Sequence, residues 1–257
     1  MARRIVARRL RMVRTFPEIG TLLSADLSRY GSASTAWHAD VAQRYDPPYR
    51  CAEEKSAVRT IASDILTWSW FSQPHGYNFN GFLISDRADN LAIDPVEPTE
   101  QDLDELAQRG VTRILLTNRN HVRAANRVRA STGARTAIHA GDAAYARGQG
   151  AELDDELQVG DKIGPLTVIG VPGKSPGEVA FHWPERRLLI VGDAVVGNPP
   201  GRLILLREKV LDDPAKLRES VRQLVSLDFD TLLVGDGECV LNDARERLRE
   251  LVETFPG

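Results

Sequence analysis

The stretch Ile114 to Arg123, Ile-Leu-Leu-Thr-Asn-Arg-Asn-His-Val-Arg, narrows the possible folds more than any other part of the chain. The β-formers Ile114, Leu115 and Leu116 run without a polar break and then stop at a polar turn. Past the turn, Val122, Ala125, Val128 and Arg129 fall at helical spacing. A buried strand passing into a helix is the repeating unit of α/β proteins, which place their chemistry at the carboxyl ends of such strands. The polar residues of this turn are therefore the first site candidates.

The chain from Leu66 onward is regular. Trp68, Trp70 and Phe71 predict a strand that ends at the turn residues Pro74, His75 and Gly76. Phe79 to Ser85 and Leu91 to Asp94 predict two more strands, and Asp94-Pro95 closes the second. Thr99 with Asp102 forms a capping-box signal ahead of Leu103, Leu106 and Ala107, and Gly110 stops that helix. The helix after the central strand ends near Gly133. Thr136 to His139 reads as a short strand and Gly141 to Gly150 as a loop. Leu166 to Val171 is a buried strand running into Pro172-Gly173-Lys174-Ser175-Pro176-Gly177-Glu178, where the breakers enforce a loop. Val179 to Trp183 and Leu188 to Val191 form a hairpin that Gly192-Asp193 closes. A helix opened by Asp212 or Asp213 and Pro214 runs to Leu227. Thr231 to Val234 is the last strand, Gly235-Asp236-Gly237 its terminal loop, and Ala244 to Val252 the last helix.

The first 60 residues differ in composition. Six arginines (Arg3, Arg4, Arg8, Arg9, Arg11 and Arg14) precede the first acid, Glu18. This segment reads as a targeting peptide, a membrane-surface helix or a solvated appendage, and the appendage is adopted here. Residues 1–60 are expected to be a basic, partly helical extension, with a helix from Ala52 to Ile65 leading into a domain at 61–257. A net charge of −3 and the lack of a basic face argue against nucleic-acid binding. No apolar run approaches the roughly 20 residues that cross a bilayer. Cys51 and Cys239 lack metal-type spacing and read as thiols rather than a disulfide. A cytoplasmic location is expected, with organelle targeting by the arginines left open.

The order of these motifs resembles the metallo-β-lactamase superfamily from about residue 66 to the end. Asn80-Gly81 to Ile84 and Ile93-Asp94-Pro95 are similar to its first two strands, and Thr117 opens its Thr-His-x-His-x-Asp-His turn. The Pro172 to Gly177 loop resembles Pro-Gly-His-Thr-Pro-Gly. Gly192-Asp193 and Gly235-Asp236-Gly237 resemble the segments that supply the bridging carboxylate and the last ligand. The resemblance implies an αββα sandwich, an α+β variant of the α/β class, with its site at one rim of two sheets.

The family's metals are held by histidines and aspartates. The matching positions here are Asn118, Asn120, Val122, Arg123, Lys174, Asp193 and Asp236. Only Asp193 is retained; Val122 cannot coordinate, and Arg123 and Lys174 bring fixed positive charge. A catalytic zinc needs about three imidazole, thiolate or carboxylate ligands and an open position. A metal-free site is therefore expected, with Lys174 and Arg123 neutralising Asp193 and Asp236. His121 lies one step out of the ligand register and reads either as a helix-start histidine bonding a carbonyl or as a catalytic base. His139 reads as packed or capping, and Asp94 as fixing its turn through backbone neighbours. Arg119, Arg123 and Lys174 form either an anion pocket or solvated charge plus one structural pair.

Two functions follow as expectations. The first is a binding or scaffold protein with a degenerate, metal-free site, whose partner is a small molecule with anions among the candidates. The alternative is a hydrolase using an atypical metal site, zinc included, or a metal-free reaction of His121 with Asp193. Substrate and oligomeric state are not legible in the sequence.

Overall fold

The structure, a computed structural model, describes residues 58–86 and 89–256. The arginine-rich N-terminus and nearly all of the expected extension lie outside the described residues. Seven strands form the first sheet: β1 (Arg59–Ala62), β2 (Ile65–Ser72), β3 (Tyr77–Ser85), β4 (Asn90–Ile93), β5 (Arg113–Leu115), β6 (Arg135–His139) and β7 (Asp155–Leu157), neighbours in that order. Strands β1 to β4 pair antiparallel, and β4 to β7 pair parallel. The second sheet contains β8 (Lys162–Ile163), β9 (Leu166–Gly170), β10 (Val179–Trp183), β11 (Leu188–Val191) and β12 (Thr231–Val234). Its order is β12-β11-β10-β9-β8, with β11 and β12 parallel. The helices are α1 (Glu100–Gln108), α2 (Ala125–Thr132), α3 (Ala140–Gly148), α4 (Pro214–Leu224) and α5 (Ala244–Glu253).

Strand alternation builds three apolar layers. Phe82, Ile84, Leu91 and Ile93 of the first sheet meet Val168, Phe181, Ile190 and Leu233 of the second. The intervening residues Leu83 and Ala92 face the other way, joining Leu103, Leu106, Val128 and Ala143 of α1 to α3. On the far side Ala180, Leu189 and Leu232 pack with Leu217 and Val221 of α4 and Leu248 of α5. Each sheet is thus buried on both faces, which is why its strands are apolar nearly throughout. The result is an αββα sandwich.

Two local expectations are corrected. Residues 58–65 do not continue a helix: Arg59 to Ala62 pairs antiparallel with Ile65 to Thr67 across a tight turn. The β-formers Thr60 and Ile61 gain ladder hydrogen bonds there that a short, isolated helix would lack. The first strand starts two residues before residue 61. Residues 141–150 are not a loop, because α3 occupies Ala140–Gly148. Ala140, Ala143, Ala144 and Ala146 have the highest helix propensity, enough to carry Gly141. His139 caps this helix, its Nδ1 accepting from the Gly141 N–H at 3.1 Å. Strands β7 and β8 are too short to stand out in the sequence.

Thr99 and Asp102 form the expected capping box on α1. Asp102 is fully buried and also accepts from the Val58 N–H at 3.0 Å, so the cap holds the chain leading into β1. Replacing Asp102 with Ala leaves two backbone donors without their acceptor. The expected cost is about 1–3 kcal/mol in urea denaturation, against a few tenths for an ordinary surface change.

Candidate functional site

Strands β4, β5, β11 and β12 end at one rim, and each end delivers a polar residue. Asp94 follows β4 with φ 46°, a left-handed conformation unusual for a side-chain-bearing residue. Its carboxylate explains why the fold holds it there. One oxygen accepts from the Thr117 N–H at 2.8 Å, and the other from the Thr117 hydroxyl at 2.6 Å. That second oxygen also lies 2.7 Å from His121 Nδ1. Asp94 therefore acts through its side chain, joining the ends of β4 and β5, and not through its backbone neighbours alone.

His121 is fully buried, and it lies in the turn ahead of α2 rather than in the helix. It bonds carboxylates, not a carbonyl: Nε2 is 3.3 Å from Asp193 Oδ1, at the end of β11. Two glycines make room for this. A Cβ at Gly192 would sit 2.2 Å from Thr117 Oγ1, and one at Gly235 would sit 2.7 Å from His121 Cε1. The Gly-Asp and Gly-Asp-Gly segments thus need glycine because the β5 turn presses against them.

The other matching positions divide between this cluster and the core. Lys174 Nζ lies 2.7 Å from Asn120 Oδ1 and 3.2 Å from Asp193 Oδ2. Arg123 Nη2 lies 2.7 Å from Asp236 Oδ1, and its guanidinium covers the Phe79 ring at 4.0 Å. Asn118 Oδ1 accepts from the Asn120 N–H, and its amide nitrogen is 3.4 Å from Glu178 Oε1. Val122 packs against the helix-side core instead. Arg119 is elsewhere: it pairs with Asp212 at 2.7 Å and stacks on Tyr145. The three cations do not converge on an open anion pocket, since each already holds a carboxylate.

Asp142 fixes the Pro-Gly loop beside the turn, accepting from the Arg119 N–H, the Ser175 hydroxyl and the Gly177 N–H. Asn80 ties the two sheets together, donating to Val234 and Gly237 carbonyls at 2.9 Å. Sequence reasoning missed Asp142 and Glu178. Asp142 was hidden in a stretch read as loop, and Glu178 carried no signal beyond being an acid beside the Pro-Gly loop.

Electrostatics follow from this packing. Burial pushes the His121 pKa down, as does Arg123, but the carboxylates of Asp94 and Asp193 override both and lift it to about 10. Burial works to raise Asp193, yet His121, Lys174 and Arg123 hold it below the usual carboxylate range. Glu178 is raised well above that range by burial and by Asp193, and its Oε2 has no partner. Burial also raises Asp236, against the pull of Arg123 and with a push from Asp193. The cluster thus sets the cations His121, Lys174 and Arg123 against the carboxylates of Asp94, Asp193 and Asp236.

A model of the metallo-beta-lactamase superfamily matches residues 56–255. The chain belongs to that superfamily. A hydroxyacylglutathione hydrolase from Cereibacter sphaeroides is 32% identical over 177 residues, 64% of each chain. Another hydroxyacylglutathione hydrolase, from Fuscovulum blasticum, is 32% identical over 161 residues, 59% of each. The chain spans about six-tenths of these relatives' length. A metallo-beta-lactamase from Pontibacter korlensis superposes with TM-score 0.66 at 16% identity, covering 78% of this chain and 100% of that one, a likeness of fold.

This superfamily's metals do not fit the residues present. His121, Asp193 and Asp236 bring ligand atoms within 4.8 Å of one another. Lys174 and Arg123, however, already sit on the carboxylates of Asp193 and Asp236. A divalent ion there would face two fixed positive charges at contact range, where repulsion is strong.

Lys174 and Asp193 are both nine-tenths buried, so their pairing is weakly screened. Lys174→Ala should cost about 1–3 kcal/mol by leaving a buried carboxylate short of its partner. The double variant with Asp193→Ala should cost less than the two single losses added. Strict additivity in urea denaturation would return Lys174 to ordinary surface charge.

A pH dependence follows with a definite sign. The folded pKa of His121 is raised from 6.5 to about 10, so the stability it contributes is complete below about pH 6.5. That stability is lost as pH rises toward about 10, because the unfolded imidazole has already released its proton. Glu178 and Asp236, also raised, act in the same direction, but their loss starts lower, from the ordinary carboxylate range upward, and the window from about 6.5 to about 10 belongs to His121. Urea midpoints should fall across this range, and His121→Gln should flatten the decline.

Proposed function

We propose that this chain is a hydrolase-derived member of the superfamily that works without a metal, as a binding or scaffold protein. The observation that carries this reading is the placement of Lys174 and Arg123 on Asp193 and Asp236. The side chains that would receive metals are already neutralised from within. His121 has both ring nitrogens engaged and no exposed surface, so it is not presented to a substrate. The ligand in this reading is a small molecule, with anions to be tried first because Lys174 and Arg123 can exchange an internal carboxylate for an external one. No described helix is long and apolar enough to cross a membrane. A cytoplasmic location completes the proposal.

Kinship supports a second reading, and on kinship alone it is the stronger one. The matched relatives carry the name hydroxyacylglutathione hydrolase. Under this reading the chain hydrolyses a thioester or related ester after the cluster opens, with Asp193 and His121 as the groups exposed.

One preparation separates the two. Protein purified without chelator or affinity nickel should contain zinc, iron and manganese far below one equivalent. It should leave a hydroxyacylglutathione thioester uncleaved, with or without added zinc. About one tightly held ion per chain, removed by chelator with loss of thermal stability, would overturn the metal-free reading. Turnover that Asp193→Asn abolishes would establish the hydrolase.

A further inference from the structure

We infer that Lys174 and Arg123 are built-in counter-ions guarding a latent cation site, formed by His121 Nε2 and carboxylate oxygens of Asp193 and Asp236. Neutralising Lys174 should allow this site to take one divalent transition-metal ion. The inference rests on the metal-free reading and gives the misfit of metal and residues a specific cause.

Three observations point to the same place. The three ligand atoms lie within 4.8 Å of one another and are buried. Ligands at about 2.0–2.2 Å from a tetrahedral centre stand roughly 3.5 Å apart, so modest side-chain rotation closes the set. Asp94 Oδ2 at 2.7 Å on Nδ1 fixes the His121 ring as a carboxylate fixes a metal-bound imidazole, and Nε2, held 3.3 Å from Asp193 Oδ1, would face an ion once it gives up its proton. Glu178, outside that set of three, is 1% exposed with an unpartnered Oε2, and its carboxyl lies in the field of Asp193, His121 and Lys174. One imidazole with carboxylates suits zinc, cobalt or manganese.

What excludes the ion is charge, from Lys174 and Arg123 on the carboxylates and from the proton that His121 holds between Asp94 and Asp193. Lys174 Nζ sits 3.2 Å from Asp193 Oδ2, and Arg123 Nη2 sits 2.7 Å from Asp236 Oδ1. Lys174 is the more removable guard. Its chain ends at the cluster, whereas Arg123 also covers Phe79. The set differs from the superfamily pattern because His121 stands outside that register, between Asn120 and Val122.

The test uses the full chain and cobalt(II) as the probe, read by its visible ligand-field absorption, by equilibrium dialysis and by thermal melting. Wild type should bind no stoichiometric cobalt, and its melting temperature should not move. Lys174→Met should bind one equivalent, with a raised melting temperature. Adding Arg123→Gln should tighten binding at least tenfold, and adding His121→Ala should abolish it. Lys174→Gln keeps the bonds to Asn120 and Asp193 possible without the charge, and it serves if the Met variant does not fold. A folded Lys174 variant that ignores cobalt overturns the guarding role while leaving the metal-free reading intact. Stoichiometric cobalt on wild type overturns both. If neither Lys174 variant folds, recovery by refolding in cobalt supports the inference, and failure with and without the ion overturns it.

Discussion

A buried imidazole held between two carboxylates is the constraint on which the rest of this rim depends. Asp94 and Asp193 come from β4 and β11, in different sheets, and His121 from the turn after β5 bridges them. Removing three such charged groups from water carries a desolvation penalty of several kcal/mol for each ion, and only close pairing offsets it. The pairing in turn dictates backbone. Asp94 adopts its left-handed conformation to reach Thr117 and His121, and Gly192 and Gly235 lack side chains so that the β5 turn can approach. The site's motifs are consequences of one close approach.

The same view accounts for the replaced positions. Val122, at a position where the superfamily pattern has a ligand, packs against the helix-side core. Lys174 and Arg123 brought positive charge to carboxylates that would otherwise be buried alone. Asn118 and Asn120 became linkers, joining Glu178 and Lys174 to the turn. Each replacement satisfies a neighbour, so the cluster is internally complete apart from Glu178 Oε2 and Arg123 Nη1. Likeness to proteins named hydroxyacylglutathione hydrolase and a rim whose charges pair with one another are therefore compatible.

Much of this was legible in the sequence because the strong signals are local. Apolar runs placed the long strands, Thr99 and Asp102 announced their helix, and Pro214 opened another. The alanine-rich α3 was misread because its flanking glycines outweighed propensity in a short window. Strand β1 is defined by its partner β2, and pairing is not a property of four residues. At the rim, residue types told which charges were present, but only the fold shows which carboxylate each cation meets. His121 is the clearest case. Nothing in Asn-His-Val announces two aspartates, 27 residues before it and 72 residues after it in the chain.

The Lys174 ammonium differs from a metal in one further respect. An ion bound from solution stabilises a fold by mass action, so its contribution varies with the concentration of free ion in the surroundings. An ammonium on a side chain of the same polypeptide has a local concentration set by its tether and cannot be diluted or stripped away. The contact of Lys174 with Asp193 is therefore one bond across this rim whose strength does not vary with the supply of metal.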